Sequence, residues 1–322
     1  MVAKTISNLE LMTDYHVITF YSIEQIEDHK KLGRVVERFC VKNKIVGTFF
    51  STPQGVNTTL SGPKQSLIDL ISLLENESKL KLKDQTWSIS SSVPFKRLKI
   101  KCRDKLLPLE GNFDPVFSRG IHLDPFEWNK LILDPETVVL DVRNDYETKI
   151  GSFKNSTIPN MKNFTDFPAF VDSNLSNLKE KKIAMFCTGG IRCEIASSFM
   201  LEEGFEQVYQ LDSGVLGYLK EVEQEENLWE GECFVFDERV TVNENLERGE
   251  YFQCFGCRRP LSKIDLQSKH YIKGVSCHLC YLSSSDEDKE RFAQRQKQID
   301  LAEARGHEHM GMNAKQKNNK YV

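Results

Sequence analysis

Residues 183–199 read Ile-Ala-Met-Phe-Cys-Thr-Gly-Gly-Ile-Arg-Cys-Glu-Ile-Ala-Ser-Ser-Phe: an apolar run of strand type, a glycine loop opened by Cys187, and a small-residue run of helix type. A strand that delivers its last residue to the N-terminus of a helix faces that residue with backbone N–H groups and the positive end of the helix dipole. A sulfur placed there is stabilised as S⁻ over SH. Gly189 and Gly190 permit the dihedrals of a tight curl, and Arg192 adds a full positive charge. The segment therefore constrains the fold to an α/β layer with Cys187 at the carboxyl end of a strand, the edge at which ligand sites gather. A buried, inert cysteine ending a core strand is the alternative.

The flanking sequence supports such a layer. Val138–Val142, Lys182–Phe186 and Gln207–Leu211 are short apolar runs separated by helical stretches, a pattern that implies a parallel sheet. His122–Leu133 predicts a short helix capped by Asp124 and Pro125. Asp141 and Arg143 end a neighbouring strand and either line the cysteine's pocket, the arginine as partner for an anionic group, or form a structural ion pair. Cys193, on the first turn of the helix after the loop, either resolves a sulfur intermediate, forms a regulatory disulfide, or packs as a small residue.

The first hundred residues alternate between two periodicities. Strands are expected at His16–Ser22, Lys44–Phe50, Gly55–Leu60 and Gln85–Val93, and helices at Ile23–Cys40 and Pro63–Glu77. The order β-α-β-β-α-β is that of a ferredoxin-like α+β domain, with no obvious nucleophile or metal cluster. The organisation expected is a ferredoxin-like domain over 12–103, a linker over 104–121, a parallel α/β domain over 122–225, a cysteine-rich region over 226–300 and a disordered tail over 301–322.

The formal net charge of −4 is unevenly spread: Lys81 to Lys105 holds eight basic residues against two Asp, and Glu202 to Glu238 holds twelve acidic residues against one Lys. Lys96, Arg97, Lys99, Lys101 and Arg103 are candidates for phosphate contacts, which give affinity and salt dependence without base selectivity. A solvated strand face is the alternative. No apolar run approaches the roughly 18 residues that span a bilayer, the N-terminus has no apolar signal core, and the nine cysteines are odd in number. A cytoplasmic location with no membrane association is expected. Cys254-x-x-Cys257 and Cys277-x-x-Cys280 have zinc-ribbon spacing, so a structural Zn²⁺ on the four thiolates is expected, with His270 and His278 as alternative but unneeded ligands; reduced packing cysteines or a redox pair are the alternatives. No flavin or NAD fingerprint is seen.

Cys187 and Arg192 make a Cys-x4-Arg loop, one residue shorter than the loops of tyrosine phosphatases. A tighter ring suits one sulfur atom better than a tetrahedral phosphate. The loop resembles that of the rhodanese domain, whose cysteine takes up a sulfane sulfur as Cys–S–SH; by that resemblance the amides of Thr188, Gly189, Gly190 and Ile191, on to Cys193, cradle the terminal sulfur. The likeness continues in residues 141–147, 187–194, 209–215 and 228–240, in Pro94-Phe-Lys-Arg-Leu-Lys99 and in the paired cysteines. Together these resemble the tRNA uridine hydroxylase family of rhodanese-domain proteins over roughly residues 15 to 285. The chain departs from that pattern at Ser51–Thr58, where the family carries a more acidic turn, and at Lys105-Leu-Leu.

The resemblance implies oxygen-dependent hydroxylation of the wobble uridine of tRNA to 5-hydroxyuridine, with molecular oxygen as co-substrate, the anticodon region of tRNA as partner and Cys187 required. A persulfide-carrying sulfurtransferase and a non-enzymatic RNA-binding protein remain alternatives. Addition of Cys187 at C6 of uracil would make C5 electron-rich towards an oxidant. O₂ chemistry normally calls for a flavin or a redox metal, and no residue pattern supplies one. Phe126, Trp128, Phe164 and Phe167 are aromatic candidates near the domain for base stacking or for its core.

Overall fold

The computed structural model describes residues 15–306 apart from 79, 83 and 84. The expected first domain residues 12–14, and the tail from 307 to 322, lie outside the described residues. The chain opens with β1 (Tyr15–Ile23), α1 (His29–Lys42), β2 (Val46–Thr52), β3 (Gly55–Gly62), α2 (Lys64–Ser78) and β4 (Thr86–Ser90), the expected ferredoxin-like order. Of the residues expected in the first helix, Ile23 ends β1 and 24–28 form a connecting turn instead. The helix starts only where the Asp28 carboxylate accepts the Lys31 N–H at 2.7 Å. β5 (Leu98–Cys102), the basic segment, is an additional strand parallel to β2 at the sheet edge, giving the order β4-β1-β3-β2-β5.

Alternation along these strands divides the sheet into two faces. Ile18, Phe20, Phe49, Val56 and Leu60 point to one side and close a core with Val36 and Cys40 of α1 and Leu67 and Leu74 of α2. Thr19, Thr48, Phe50, Asn57 and Thr59 point to the other. Among the described residues, that second face has no helix of its own domain against it.

The α/β domain follows: β6 (Ile121–Leu123), α3 (Pro125–Ile132), β7 (Thr137–Asp141), α4 (Asp145–Thr148), β8 (Gly151–Phe153), α5 (Phe167–Asn174), β9 (Lys182–Phe186), α6 (Ile191–Glu202), β10 (Gln207–Leu211) and α7 (Gly214–Glu221). The parallel sheet runs β6-β10-β9-β7. β9 is central, with Ile183 and Met185 in one core and Ala184 and Phe186 in the other. This double burial is why its sequence is continuously apolar. His122, expected in a helix, lies in β6 opposite Gln210, and α3 begins only at Pro125 behind an Asp124–Glu127 capping box.

The tryptophan-acidic segment is tied to this domain. β11 (Trp229–Gly231) pairs antiparallel with β8, and Trp229 meets Phe153 edge-on with ring centroids 5.2 Å apart. The chain then crosses back over the domain junction through 235–246, forms the four-cysteine module and ends in α8 (Asp286–Ala304), whose Ser285 cap and acidic first turn suit a helix N-terminus. Residues 301–304, expected in the tail, are helical.

Candidate active site

Cys187 leaves the end of β9 with no solvent exposure. Gly190, at φ +93°, turns its N–H onto the Cys187 sulfur at 3.2 Å. The loop is held from behind by α7, whose Val215 and Leu216 N–H groups donate to the carbonyls of Cys187 and Thr188 at 2.9 and 3.0 Å. Gly214 makes this approach possible, since a side-chain carbon there would lie 2.5 Å from the Cys187 carbonyl oxygen. With its carbonyls turned outward to a second helix, the loop presents amides inward.

Burial alone would raise the Cys187 thiol. It is outweighed by a hydrogen bond from the Cys193 thiol, the Arg192 charge and the amides of Cys193 and Arg192, and the thiol titrates at about 6 against an ordinary 9.0. Cys193 moves the other way: burial and the adjacent Cys187 push it well above the ordinary value. Of the two, Cys187 is the thiolate and Cys193 the donor.

Arg192 is fixed by a residue that the sequence reading did not assign a role. Glu147 in α4, fully buried, accepts Arg192 Nη1 at 2.6 Å and Nη2 at 2.7 Å, and it also accepts the Thr188 hydroxyl at 3.0 Å. Burial opposes ionisation of Glu147, but the Arg192 charge and hydrogen bonds prevail and hold its carboxyl below the ordinary range. The signal was present in Asn144-Asp-Tyr-Glu147, a helix-capping pattern in which Glu147 accepts the Asn144 N–H at 3.2 Å.

Asp141 and Arg143 are brought together elsewhere. Arg143 forks onto Asp141 at 2.8 and 2.6 Å, donates to the Gly151 carbonyl at 2.6 Å and lies 4.9 Å above the Trp229 ring. Both are fully buried and neither lines the space in front of Cys187. The geometry is that of the structural ion pair, fastening β7 to β8 and β11, and not of a catalytic pair.

That space is a cavity of about 320 Å³. Cys187, Thr188, Gly189 and Arg192 form its floor, and the open face of the first domain's sheet, with Thr19, Thr48, Phe50, Asn57 and Thr59, forms its roof. Ile191 and Phe164 contribute to the lining, and Val235, Phe236, Asp237 and Arg239 close one side. Arg239 forks onto Asp237 at 2.7–3.1 Å and donates to the Ser88 hydroxyl of β4 at 2.9 Å, pinning the crossing segment to the roof. The two domains also meet through Tyr21, whose hydroxyl donates to the buried Glu194 of α6 at 2.8 Å. Glu194 in turn faces His122 at 3.2 Å. Hydrogen bonds with Asp212 and Glu194 push the His122 imidazole up to about 10.

Of the basic candidates, Lys101 and Arg103 reach the roof, their cations 5.0 and 5.4 Å from the centre of the Phe50 ring. Lys99 shares their face; burial first, then the charges of Arg97, Lys101 and Arg258, lower its pKa. Lys96 turns aside to Glu238 at 3.7 Å and to the Phe255 ring, and Arg97 is exposed on the outer side. Trp128 and Phe167 are fully buried in the core, and Phe126 is exposed.

Cys254, Cys257, Cys277 and Cys280 bring their sulfurs within 4.8 Å of one another, three of the pairs 3.8–3.9 Å apart. A tetrahedron built on Zn–S bonds of about 2.3 Å has edges of about 3.8 Å. The four cysteines could therefore hold a metal ion such as zinc. His270 stacks on Tyr281 and His278 faces Asp265, so neither histidine joins the cluster.

A parallel α/β layer with an ionised cysteine in an amide-lined loop defines a rhodanese-like domain, and residues 125–221 match the rhodanese-like domain family model. Residues 15–106 match the UPF0176 acylphosphatase-like domain, an architecture of ferredoxin type. An acylphosphatase-like UPF0176 domain followed by a rhodanese-like domain is the architecture of the UPF0176 rhodanese family, the tRNA uridine hydroxylase family that the sequence resembles.

Similar solved structures include a rhodanese-like domain from Anabaena sp, 20% identical over 34% of this chain and 78% of that one, with a TM-score of 0.28. The polysulfide-sulfur transferase homodimer of Wolinella succinogenes is 27% identical over 32% of this chain and 74% of that one, with a TM-score of 0.27. An acylphosphatase from Bacillus subtilis is 20% identical over 27% of this chain and 96% of that one, with a TM-score of 0.20. Among the described residues no helix is long and apolar enough to cross a membrane.

Proposed function

We propose that this chain is a cytoplasmic tRNA-modifying enzyme that hydroxylates the wobble uridine at C5, giving 5-hydroxyuridine with molecular oxygen as co-substrate. The observation that carries the reading is the Cys187 thiolate on the floor of a cavity roofed by the family's own N-terminal domain. A thiolate in this position adds to C6 of an enclosed uracil and leaves C5 electron-rich; one atom of O₂ is installed at C5 as a hydroxyl while the other leaves as water, with two electrons from an external reductant, and loss of the C5 proton and departure of the thiolate restore the ring. Arg192, held by Glu147, keeps the anion in place, and the Cys193 thiol stabilises it as a donor. Zn²⁺ on the four cysteines has a structural role, since all four ligand positions are protein sulfurs and none is open to substrate.

The test is mass spectrometry of tRNA nucleosides from cells lacking the gene, complemented with the wild-type chain or with Cys187→Ser. Wild type restores 5-hydroxyuridine and its derivatives and Cys187→Ser does not; full restoration by Cys187→Ser ends the proposal. A second reading, a sulfurtransferase carrying a Cys187 persulfide, is favoured by the narrow loop, whose Gly190 amide converges on one sulfur. Unchanged tRNA nucleosides in the deletion strain, together with rapid thiosulfate-dependent sulfur transfer by the purified chain, select it instead.

A further inference from the structure

The open face of the first domain's sheet has an order that its core does not require. In the strand registers Tyr21 lies opposite Asn57, Asn57 opposite Phe50, and Phe50 opposite Lys101, so these four form one row across β1, β3, β2 and β5. The next row reads Thr19, Thr59, Thr48 and Lys99. Neighbouring strands lie about 4.8 Å apart, so each row spans about 14 Å. The first row starts at the catalytic loop, since a side-chain carbon on Gly190 would come within 2.8 Å of the Tyr21 ring. Both rows end in a lysine at the basic edge.

The chemistry along the first row changes in steps. One strand from Tyr21 stands Asn57, whose side-chain amide makes no hydrogen bond among the described residues although it lines the cavity. One strand further is Phe50, half-buried, with its ring in the roof. Beyond it Lys101 and Arg103 place two cations at the rim. An amide with a free donor and acceptor, an aromatic face and a pair of cations match the polar edge of a pyrimidine, a base to be stacked and a phosphate. Hydroxyl-bearing threonines rather than aliphatic residues fill the second row, as suits a face that is wetted when empty.

Resting on the tRNA reading above, we propose that this sheet face is a platform for single-stranded RNA: Asn57 hydrogen-bonds the base held over Cys187, Phe50 stacks a base of the same loop, and Lys101 and Arg103 take the phosphate between them. The acylphosphatase-like domain is thereby the recognition half of the active site, and the rhodanese domain the chemical half.

The experiment measures binding of an anticodon stem-loop with uridine at the wobble position to the full-length chain by fluorescence anisotropy. Phe50→Ala is expected to weaken binding about five- to 150-fold, the effect of losing one stacked base, without changing the salt dependence. Phe50→Tyr, which keeps the ring, retains the affinity, and melting curves with the Cys187 alkylation midpoint confirm that both variants are folded. Lys101→Ala lowers the slope of log affinity against log salt by about 0.7, one single-strand phosphate.

Replacing each anticodon base in turn by an abasic residue is expected to abolish the Phe50→Ala penalty at one position. Asn57→Leu is expected to erase the wild-type preference for uridine over an abasic residue at the wobble position, and its survival overturns the role of Asn57. Equal binding by Phe50→Ala and wild type, or the same penalty with every abasic loop, overturns the platform while leaving the hydroxylase reading to its own nucleoside test. A wild-type chain that binds no stem-loop overturns both.

Discussion

Replacing Cys193 by alanine removes one of the groups that keep Cys187 ionised and leaves Arg192 and the loop amides in place. The Cys187 thiol titrates at about 6 instead of 9.0, a preference for the anion of about 4 kcal/mol shared among the Cys193 thiol, Arg192 and the amides after burial has been overcome. A hydrogen bond to a charged acceptor contributes about 1.5–3 kcal/mol, and a thiol donor belongs at the lower end, which is about one pKa unit. Cys193→Ala should therefore move the midpoint to about 7, while Cys193→Ser, which keeps a donor, should leave it near 6. The assay is the pH dependence of iodoacetamide alkylation at Cys187, read on its own peptide by mass spectrometry so that the other cysteines do not contribute. At about pH 6 the wild type is half ionised and Cys193→Ala about one-tenth ionised, a fivefold difference in rate that disappears by about pH 9. A wild-type midpoint above about pH 8 refutes the thiolate. An unmoved midpoint in Cys193→Ala refutes the donor role of Cys193.

Asp141→Asn leaves the guanidinium of Arg143 buried without its counter-charge and should destabilise the fold by about 3–5 kcal/mol in urea titrations, with the Cys187 alkylation midpoint unmoved. A stable variant with an altered midpoint would assign the pair to the active site after all. Tyr21→Phe deletes the hydrogen bond to the Glu194 carboxylate and should cost about 1.5–3 kcal/mol in the same titration; no change would show that the hydroxyl does not fasten the two domains. Freshly purified chain should carry about one equivalent of zinc by elemental analysis, and Cys257→Ser should lower it; less than about a tenth of an equivalent in wild type counts against the metal.

What the sequence disclosed, it disclosed where function is local. From Cys187 to Arg192 the site is one contiguous turn whose shape follows from its own dihedrals, so a strand, two glycines and an arginine were enough to place the thiolate. Glu147 reaches Arg192 across 45 residues of chain and Tyr21 reaches Glu194 across 173, separations at which no periodicity carries information. Asp141 and Arg143 looked equally suited to two roles, and only the stacking of Arg143 on Trp229 separates them. His122 was drawn into a helix by the Asp-Pro start just after it, whereas three residues of pairing with β10 hold it in a strand. In the first domain, period-two alternation was used to find the face that packs on the helices. The same alternation names the opposite face: every residue between Ile18 and Phe20, or beside Phe49, that does not enter the core must point elsewhere, and here it points at the cysteine. Burying a reactive anion under a second domain's sheet face restricts access to it while leaving hydroxyls and an amide in front of it. What reaches the sulfur must therefore fit a cavity of about 320 Å³ lined by both domains.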